Sequence, residues 1–161
     1  NRKLVYVGAL ALLSVLFVWT NLIDHSPLAK DGDYERAAHY IESNEQEGEP
    51  ILLFNSEALL PFQYYYDGRN QLLPIPRPPS TVRYDPGRFV ISGPAAVVAA
   101  FSRLPEDHQV VWFFDNFVNQ FGPTDYNRHH LDSFLDEHYT VIESKEFHSS
   151  RVTRLRLKTP R

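Results

Sequence analysis

The sequence predicts an α/β protein: an N-terminal transmembrane helix, then a small three-layer domain with a mostly parallel sheet and an antiparallel edge hairpin. Three observations lead to this prediction. An uncharged run of 20 residues, Leu4–Ile23, lies near the start of the chain. Short apolar runs then alternate with amphipathic segments, which is typical of buried parallel strands covered by helices. Two strand-like segments separated by a short turn close the chain, and such neighbours pair antiparallel.

The uncharged run is long enough to cross a bilayer. A helix rises about 1.5 Å per residue, so the run spans about 30 Å, the thickness of the hydrocarbon layer. A secretory signal peptide is the alternative, but its apolar region is usually about 7–15 residues and ends at a small-residue cleavage site. The segment "WTNLIDHSP" has no such site. We therefore expect residues 1–23 to form a transmembrane helix.

The flanking charges predict which way this helix points. Arg2 and Lys3 precede the run, whereas Asp24 and His25 follow it. Positive charges concentrate on the cytoplasmic side of membrane helices, so residues 24–161 are expected on the extracytoplasmic, periplasmic side. The chain starts at an asparagine and contains no methionine. We therefore interpret it as part of a longer membrane protein, with the helix as its last span.

Composition limits the classes of partner and site. The 16 basic and 20 acidic side chains give a net charge of −4, and leaving out the two N-terminal cations makes it −6. An acidic domain argues against nucleic-acid binding, which needs clustered Lys and Arg. The absence of cysteine rules out disulfides and cysteine-based zinc sites within this chain.

The remaining chain divides into a polar linker, residues 24–33, and a soluble domain, residues 34–161. The domain opens with a helix in "DYERAAHYIESNEQEG", because its apolar residues recur at i, i+3, i+4 and i+7. Further helices are predicted in "ALLPFQYYYDG", "AAVVAAFSRL" and "RHHLDSFLDEHY". Parallel strands are predicted in "PILLFNSE", "RFVISGP" and "QVVWFFDN", and the edge hairpin in "TVIESKEF" and "RVTRLRLK". Five prolines in "NQLLPIPRPPSTVRYDPG" indicate an extended surface segment and argue against a central strand.

Candidate ligand-binding residues lie where strands end. In an open parallel sheet, ligands bind beyond the carboxyl ends of the strands. Asn55 and Glu57 follow the first strand, and Asp115 ends the third. The alternative for each is helix capping, which uses the same polar residue types. Convergence of Glu57 with Asp115 is the arrangement that would favour a site.

The run "YYYDGR" supplies a second set of candidates. In a helix over residues 60–66, we expect Tyr64 and Tyr66 to belong to the apolar stripe, whereas Tyr65 points away from it. Tyr65, Arg69 and Arg77 are therefore candidate substrate contacts. The pattern contains no phosphate-binding loop and no nucleophile elbow. His129 and His130 diverge by about 100° on a helix, so no metal site is predicted there. No catalytic residue and no cofactor are predicted in this chain either.

At this point the chain resembles a known family. An apolar helix, then "DGDYERAAHYIESN", "PILLFNSEALLPFQYYYDGRN" and "LLPIPRPP", resembles the C-terminal end of bacterial multi-spanning glycosyltransferases of the C-type superfamily. These are similar to dolichyl-phosphate-mannose–protein mannosyltransferases and lipid A aminoarabinose transferases. The resemblance covers most of the chain as an order of elements.

The resemblance implies a membrane enzyme that takes its sugar from a polyprenyl-phosphate donor on the extracytoplasmic side. In that family the catalytic aspartate lies in the first extracytoplasmic loop, and no residue here corresponds to it. The fragment would then supply a membrane helix and a non-catalytic domain that caps or lines the acceptor entrance. Its expected partners are membrane lipid and, through the upstream part, the lipid-linked sugar. The alternative function is a single-span, membrane-anchored binding or assembly domain without enzymatic activity.

Overall fold

The structure is a computed structural model that describes residues 2–24, 33–79, 85–116 and 126–158. Within these ranges, the side chains of residues 2–5, 23–24 and 86 are not described. The chain separates into two compact units, Asn1–Asp31 and Gly32–Arg161, and each is described by itself. Most of the predicted linker, residues 25–32, lies outside the described residues.

The first unit contains helix α1, Arg2–Asp24, so the predicted helix is confirmed. Its described side chains, from Tyr6 to Leu22, are exposed, and most of them are apolar. In the described part of the chain, no helix has both the length and the apolar character needed to cross a membrane. The membrane-spanning part of the prediction is thus not supported by this finding.

The second unit is built on a five-stranded mixed sheet with strand order β2-β1-β3-β5-β4. The strands are β1 Ile51–Phe54, β2 Leu72–Pro74, β3 Val110–Asn116, β4 Tyr139–Phe147 and β5 Ser150–Leu157. β1 pairs parallel with β2 and β3, whereas β5 pairs antiparallel with β3 and β4. The predicted edge hairpin is therefore confirmed. The prediction of a mostly parallel sheet is wrong, because half of the strand pairings are antiparallel.

One predicted strand is replaced by another. The segment "RFVISGP" is not a strand: Pro86–Phe89 forms a 3-10 turn, and the Ile91 amide donates to the Tyr126 carbonyl at 2.9 Å. The sheet instead gains β2 from the proline-rich segment, where a strand was not expected. Proline is tolerated there because β2 is an edge strand, and Pro74 needs no donor on its free side.

Helices cover both faces of the sheet, as the three-layer prediction expects. On one face lie α2, Tyr34–Glu42, and α3, Leu59–Tyr65; on the other lie α4, Pro94–Phe101, and α5, His129–His138. Alternate residues of each strand point to opposite faces. Trp112 and Phe114 therefore pack with α2 and α3, whereas Val111 and Phe113 pack with α4 and α5.

The tyrosine run is oriented differently from the prediction. Tyr66 is buried as expected, but Tyr64 is 81% exposed, and Tyr65 is half-buried against the α2–α3 core. The prediction was wrong because residues two apart on a helix point about 200° apart. With Phe62 and Tyr66 facing the core, Tyr64 must face outward, and Leu60, 63% exposed, points the same way.

Candidate functional site

The candidate site is the carboxyl edge of the parallel strands β1 and β3. Phe54 lies opposite Asp115 in the parallel register, so the chain leaves both strands side by side at this edge. Asn55, Ser56 and Asn116 continue from the two strands, and all three are buried. Several buried polar groups therefore lie at the carboxyl ends of the strands, where the sequence predicts ligand-binding residues.

The central interaction at this edge is an ion pair between Asp115 and Arg128. Arg128 Nη1 donates to Asp115 Oδ1 at 2.7 Å and to Oδ2 at 2.6 Å. The Asp115 side chain is 1% exposed, whereas that of Arg128 is 28% exposed. Arg128 also pairs with Asp132 one helical turn later, at 3.1 Å, and its guanidinium lies 5.7 Å from the centre of the Phe54 ring.

Burial works against charge on both partners of this pair. It raises the pKa of the Asp115 carboxyl, an effect that the nearby Arg128 offsets only in part. Burial also acts to lower the pKa of Arg128, but attraction to Asp115 and Asp132 outweighs it, so the pKa is raised. The guanidinium remains charged, and its Nη1 atom contacts both oxygens of the carboxylate. Asp115 is therefore a buried carboxylate compensated by its ion pair with Arg128.

The polar residues after β1 serve mainly as a cap. The peptide bond between Phe54 and Asn55 is cis. Asn55 Oδ1 accepts from the Glu57 amide at 2.9 Å, which caps the 3-10 turn Ser56–Ala58 that leads into α3. This confirms the capping alternative for Asn55. Ser56 Oγ is buried and has no hydrogen-bond partner within the described residues.

Asn116 faces the opposite side of the sheet from Asp115. Its Nδ2 donates to the Tyr34 hydroxyl at 2.5 Å, at the start of α2. Its cross-strand neighbour Ser150 has a hydroxyl that accepts from the Asp33 amide at 3.4 Å. The carboxyl edge is thus divided by the sheet into an Asp115–Arg128 side and an Asn116–Tyr34 side, so these groups do not form one cavity.

The predicted site residues are not brought together. Glu57 is half-buried. The pKa of Tyr126 is raised mainly by burial of its phenol and to a smaller extent by the negative charge of Glu57. No contact joins the Glu57 and Asp115 carboxylates in the described part of the chain, so their expected convergence is not observed. Arg69 and Arg77 are exposed, and Tyr65 is held in edge-to-face contact with Tyr64, with ring centres 4.9 Å apart.

Two buried polar groups were missed by sequence reasoning. Arg128 was missed because only its pairing with Asp132 has a local signal, at spacing i and i+4. The second group surrounds Glu49, which accepts from Trp112 Nε1 at 2.8 Å and from Arg154 Nη2 at 2.5 Å. These residues are far apart in the chain, so their spacing carries no signal.

The described polar groups at this edge are one ion pair, amides and hydroxyls. Across the described ranges, no three His, Asp or Glu side chains are grouped as a metal site would require. The buried carboxylate carries its own counter-ion, and the edge holds amides and hydroxyls that donate and accept hydrogen bonds. Comparison with known proteins finds no match, whether among family models, curated proteins or solved structures.

Proposed function

We propose that this chain is the C-terminal part of a membrane glycosyltransferase that transfers a sugar from a polyprenyl-phosphate donor to an extracytoplasmic acceptor. In this proposal, α1 is a transmembrane helix and residues 34–161 form a non-catalytic periplasmic domain near the acceptor entrance. The order of elements and its resemblance to such enzymes support the proposal. The observation that carries the proposal is that helix α1 is apolar on all sides.

Helix α1 has no polar face. Its large hydrophobic side chains between Tyr6 and Leu22 are 51–72% exposed and point in all directions around the axis. A helix that is apolar all round requires an apolar environment. The uncharged run extends from Leu4 to Ile23, beyond the residues whose side chains are described, and its 20 residues match the thickness of a bilayer.

The few polar side chains of α1 hydrogen-bond to the helix itself. Ser14 Oγ donates to the Leu10 carbonyl at 2.9 Å, Thr20 Oγ1 to the Leu16 carbonyl at 3.0 Å, and Asn21 Nδ2 to the Phe17 carbonyl at 2.8 Å. Such bonds reduce the cost of placing a polar group in hydrocarbon, where water cannot satisfy it. These bonds support the proposed membrane environment of α1.

A cysteine-labelling experiment tests the membrane orientation. The chain has no cysteine, so a single introduced cysteine is the only thiol that can be labelled. We expect Ser102→Cys, at the exposed end of α4, to react with a membrane-impermeant maleimide in intact cells. Ala100→Cys, on the same helix but 2% exposed, is the matched control and should remain unlabelled until denaturation. Labelling of Ser102→Cys only after cell lysis would contradict the proposed orientation.

A second candidate function is an anchored binding or assembly domain without enzymatic activity. It is favoured by the chemistry of the carboxyl edge, where the buried Asp115 carboxylate is bound by Arg128. The upstream reading frame distinguishes the two functions. Further apolar spans, with an acidic residue shortly after the first, support the transferase; a start codon a few residues before Asn1 supports the anchored domain.

Substrate contact by this domain is tested in the intact parent protein. Tyr65→Ala, Arg69→Ala and Arg77→Ala are assayed for transfer of sugar from a polyprenyl-phosphate donor in membrane vesicles. Reduced transfer is expected if these residues lie at the acceptor entrance. Arg156→Ala, an exposed arginine on β5, is the matched control. Transfer that is unchanged in all three variants would remove Tyr65, Arg69 and Arg77 from the proposal.

A further inference from the structure

The sheet has a long free edge at β4. β4 runs from Tyr139 to Phe147 and is the outermost strand, paired only with β5 among the described strands. Within the described residues, its outer edge presents unpaired backbone N–H and C=O groups, which are a template for another strand. A bulge between Val141 and Glu143 interrupts the regular register, so the regular part of β4 extends from Glu143 to Phe147.

The charges on this regular part are held in place. Glu143 and Lys145 are two residues apart and therefore point to the same face of the sheet. Tyr40, on α2, contacts both of them: its hydroxyl donates to Glu143 Oε2 at 3.2 Å, and Lys145 Nζ lies 4.1 Å from the centre of its ring. The free edge thus presents one negative and one positive charge on one face, with Ser144 between them.

This order of charges is complementary to itself. When two antiparallel β4 strands pair around Ser144, Glu143 of each strand lies opposite Lys145 of the other, and the two serines face each other. Opposite charges in directly facing positions stabilise a strand pair, whereas like charges destabilise it. A lysine on an edge strand usually prevents unselective pairing. Here the preceding acid makes one partner favourable, namely a second copy of the same strand.

We propose that the free edge of β4 pairs antiparallel with β4 of a second copy, with the two-fold axis at Ser144. The pairing joins two five-stranded sheets into one continuous sheet of ten strands. This inference does not depend on the proposed transferase function, because it uses contacts of the second unit alone.

Cross-linking of single cysteines tests the proposed register. In the full chain, Ser144→Cys places two cysteines at facing positions, where Cβ atoms are about 4.5–5.5 Å apart, close enough for a disulfide to form with a small backbone adjustment. We expect a disulfide-linked dimer after mild oxidation, seen on a non-reducing gel. Thr140→Cys is the matched control on the same strand. Its two copies would be about 26 Å apart and should not cross-link.

A charge reversal tests the reason for the pairing. Lys145→Glu places Glu opposite Glu twice, and we expect the dissociation constant of the dimer to rise about tenfold or more in detergent solution, measured by analytical ultracentrifugation. An unchanged thermal midpoint shows that the domain remains folded. Three results would overturn the proposal: no cross-link at Ser144→Cys, equal cross-linking at Thr140→Cys, or a dimer that Lys145→Glu leaves unchanged.

Discussion

Replacing Arg128 by methionine tests the central electrostatic argument about the carboxyl edge. Methionine is unbranched and apolar like the stem of arginine but removes the guanidinium, which lies 5.7 Å from the centre of the Phe54 ring. Asp115, which is 1% exposed, then loses its hydrogen-bonded counter-ion and keeps only the weaker attraction of Arg151 on β5. We expect a large loss of stability that depends on pH.

The magnitude follows from the burial of the two partners. Breaking a buried ion pair by removing one side costs about 3–5 kcal/mol. Arg128 is 28% exposed, so water can reach part of the space it vacates, and we expect the lower limit, about 3 kcal/mol at pH 7.5. This corresponds to a more than hundredfold increase in the unfolded fraction.

The pH dependence follows from the pKa of Asp115. Burial already raises it, and removing Arg128 raises it further. A carboxyl whose pKa is raised on folding is favourable to folding at low pH and becomes costly as the pH rises and the folded carboxyl ionises. The difference between Arg128→Met and the unmodified chain should therefore be largest near pH 7.5 and should narrow towards pH 4.

Chemical unfolding of the full chain in mild detergent measures these differences. Trp112 is fully buried, and in a Trp19→Phe background it alone reports on the second unit. Asp115→Asn in the Arg128→Met variant removes the orphaned charge and should restore most of the lost stability. A loss below about 1 kcal/mol, or one that is the same at pH 4 and pH 7.5, would refute the reasoning.

Three further predictions concern packing, alkaline pH and the second buried ion pair. Phe62→Ala should lower the free energy of unfolding by about 3–5 kcal/mol, because Phe62 is fully buried. Tyr64→Ala should lower it by less than about 0.5 kcal/mol, because Tyr64 is exposed. Similar losses in the two variants would contradict the observed orientation of α3. Burial raises the pKa of Tyr139 to about 12, so this residue should lower stability between pH 10 and 12 by up to about 1.4 kcal/mol per pH unit. Tyr139→Phe should make the alkaline slope shallower by that amount, while Tyr40, Tyr66 and Tyr126, whose pKa values are also raised, keep their part of it; an unchanged slope would refute the prediction. Arg154→Met should cost about 2–3 kcal/mol, because Glu49 is 6% exposed and keeps only neutral donors; denaturant unfolding that shows no loss would refute this.

The helices could be predicted from the sequence because their signals are local. The apolar spacing of Ala37, Ala38 and Ile41 correctly predicted the buried face of α2. The helices predicted in "AAVVAAFSRL" and "RHHLDSFLDEHY" are likewise observed, as α4 and α5, since a helix satisfies its hydrogen bonds within itself. Tyr64 was the exception. The helix over residues 60–66 was expected, but Tyr64 was placed on the same side as Tyr66, although residues two apart on a helix point in nearly opposite directions.

The strands were predicted less completely because a strand needs a partner. "RFVISGP" has the composition of a buried strand, but its Ile91 amide bonds to Tyr126 and leaves the edge position to β2. Nothing local in the proline-rich segment indicates that Leu73 and Ile75 are buried beside β1. The same limit applies to the site. Asp115 was identified from its position at the end of a strand, whereas its partner Arg128 was not.

The sequence by itself determined the uncharged N-terminal helix, the α/β class, most element positions and the cap at Asn55. These follow from periodicity, length and the chemistry of neighbouring residues, which act within about one helical turn or one strand. Only the tertiary structure decided the mixed strand order, the pairing of Asp115 with Arg128 and of Glu49 with Arg154, and the free edge at β4. Those features depend on which distant segments meet, because a buried charge is stabilised by whichever opposite charge the fold places within a few ångströms of it.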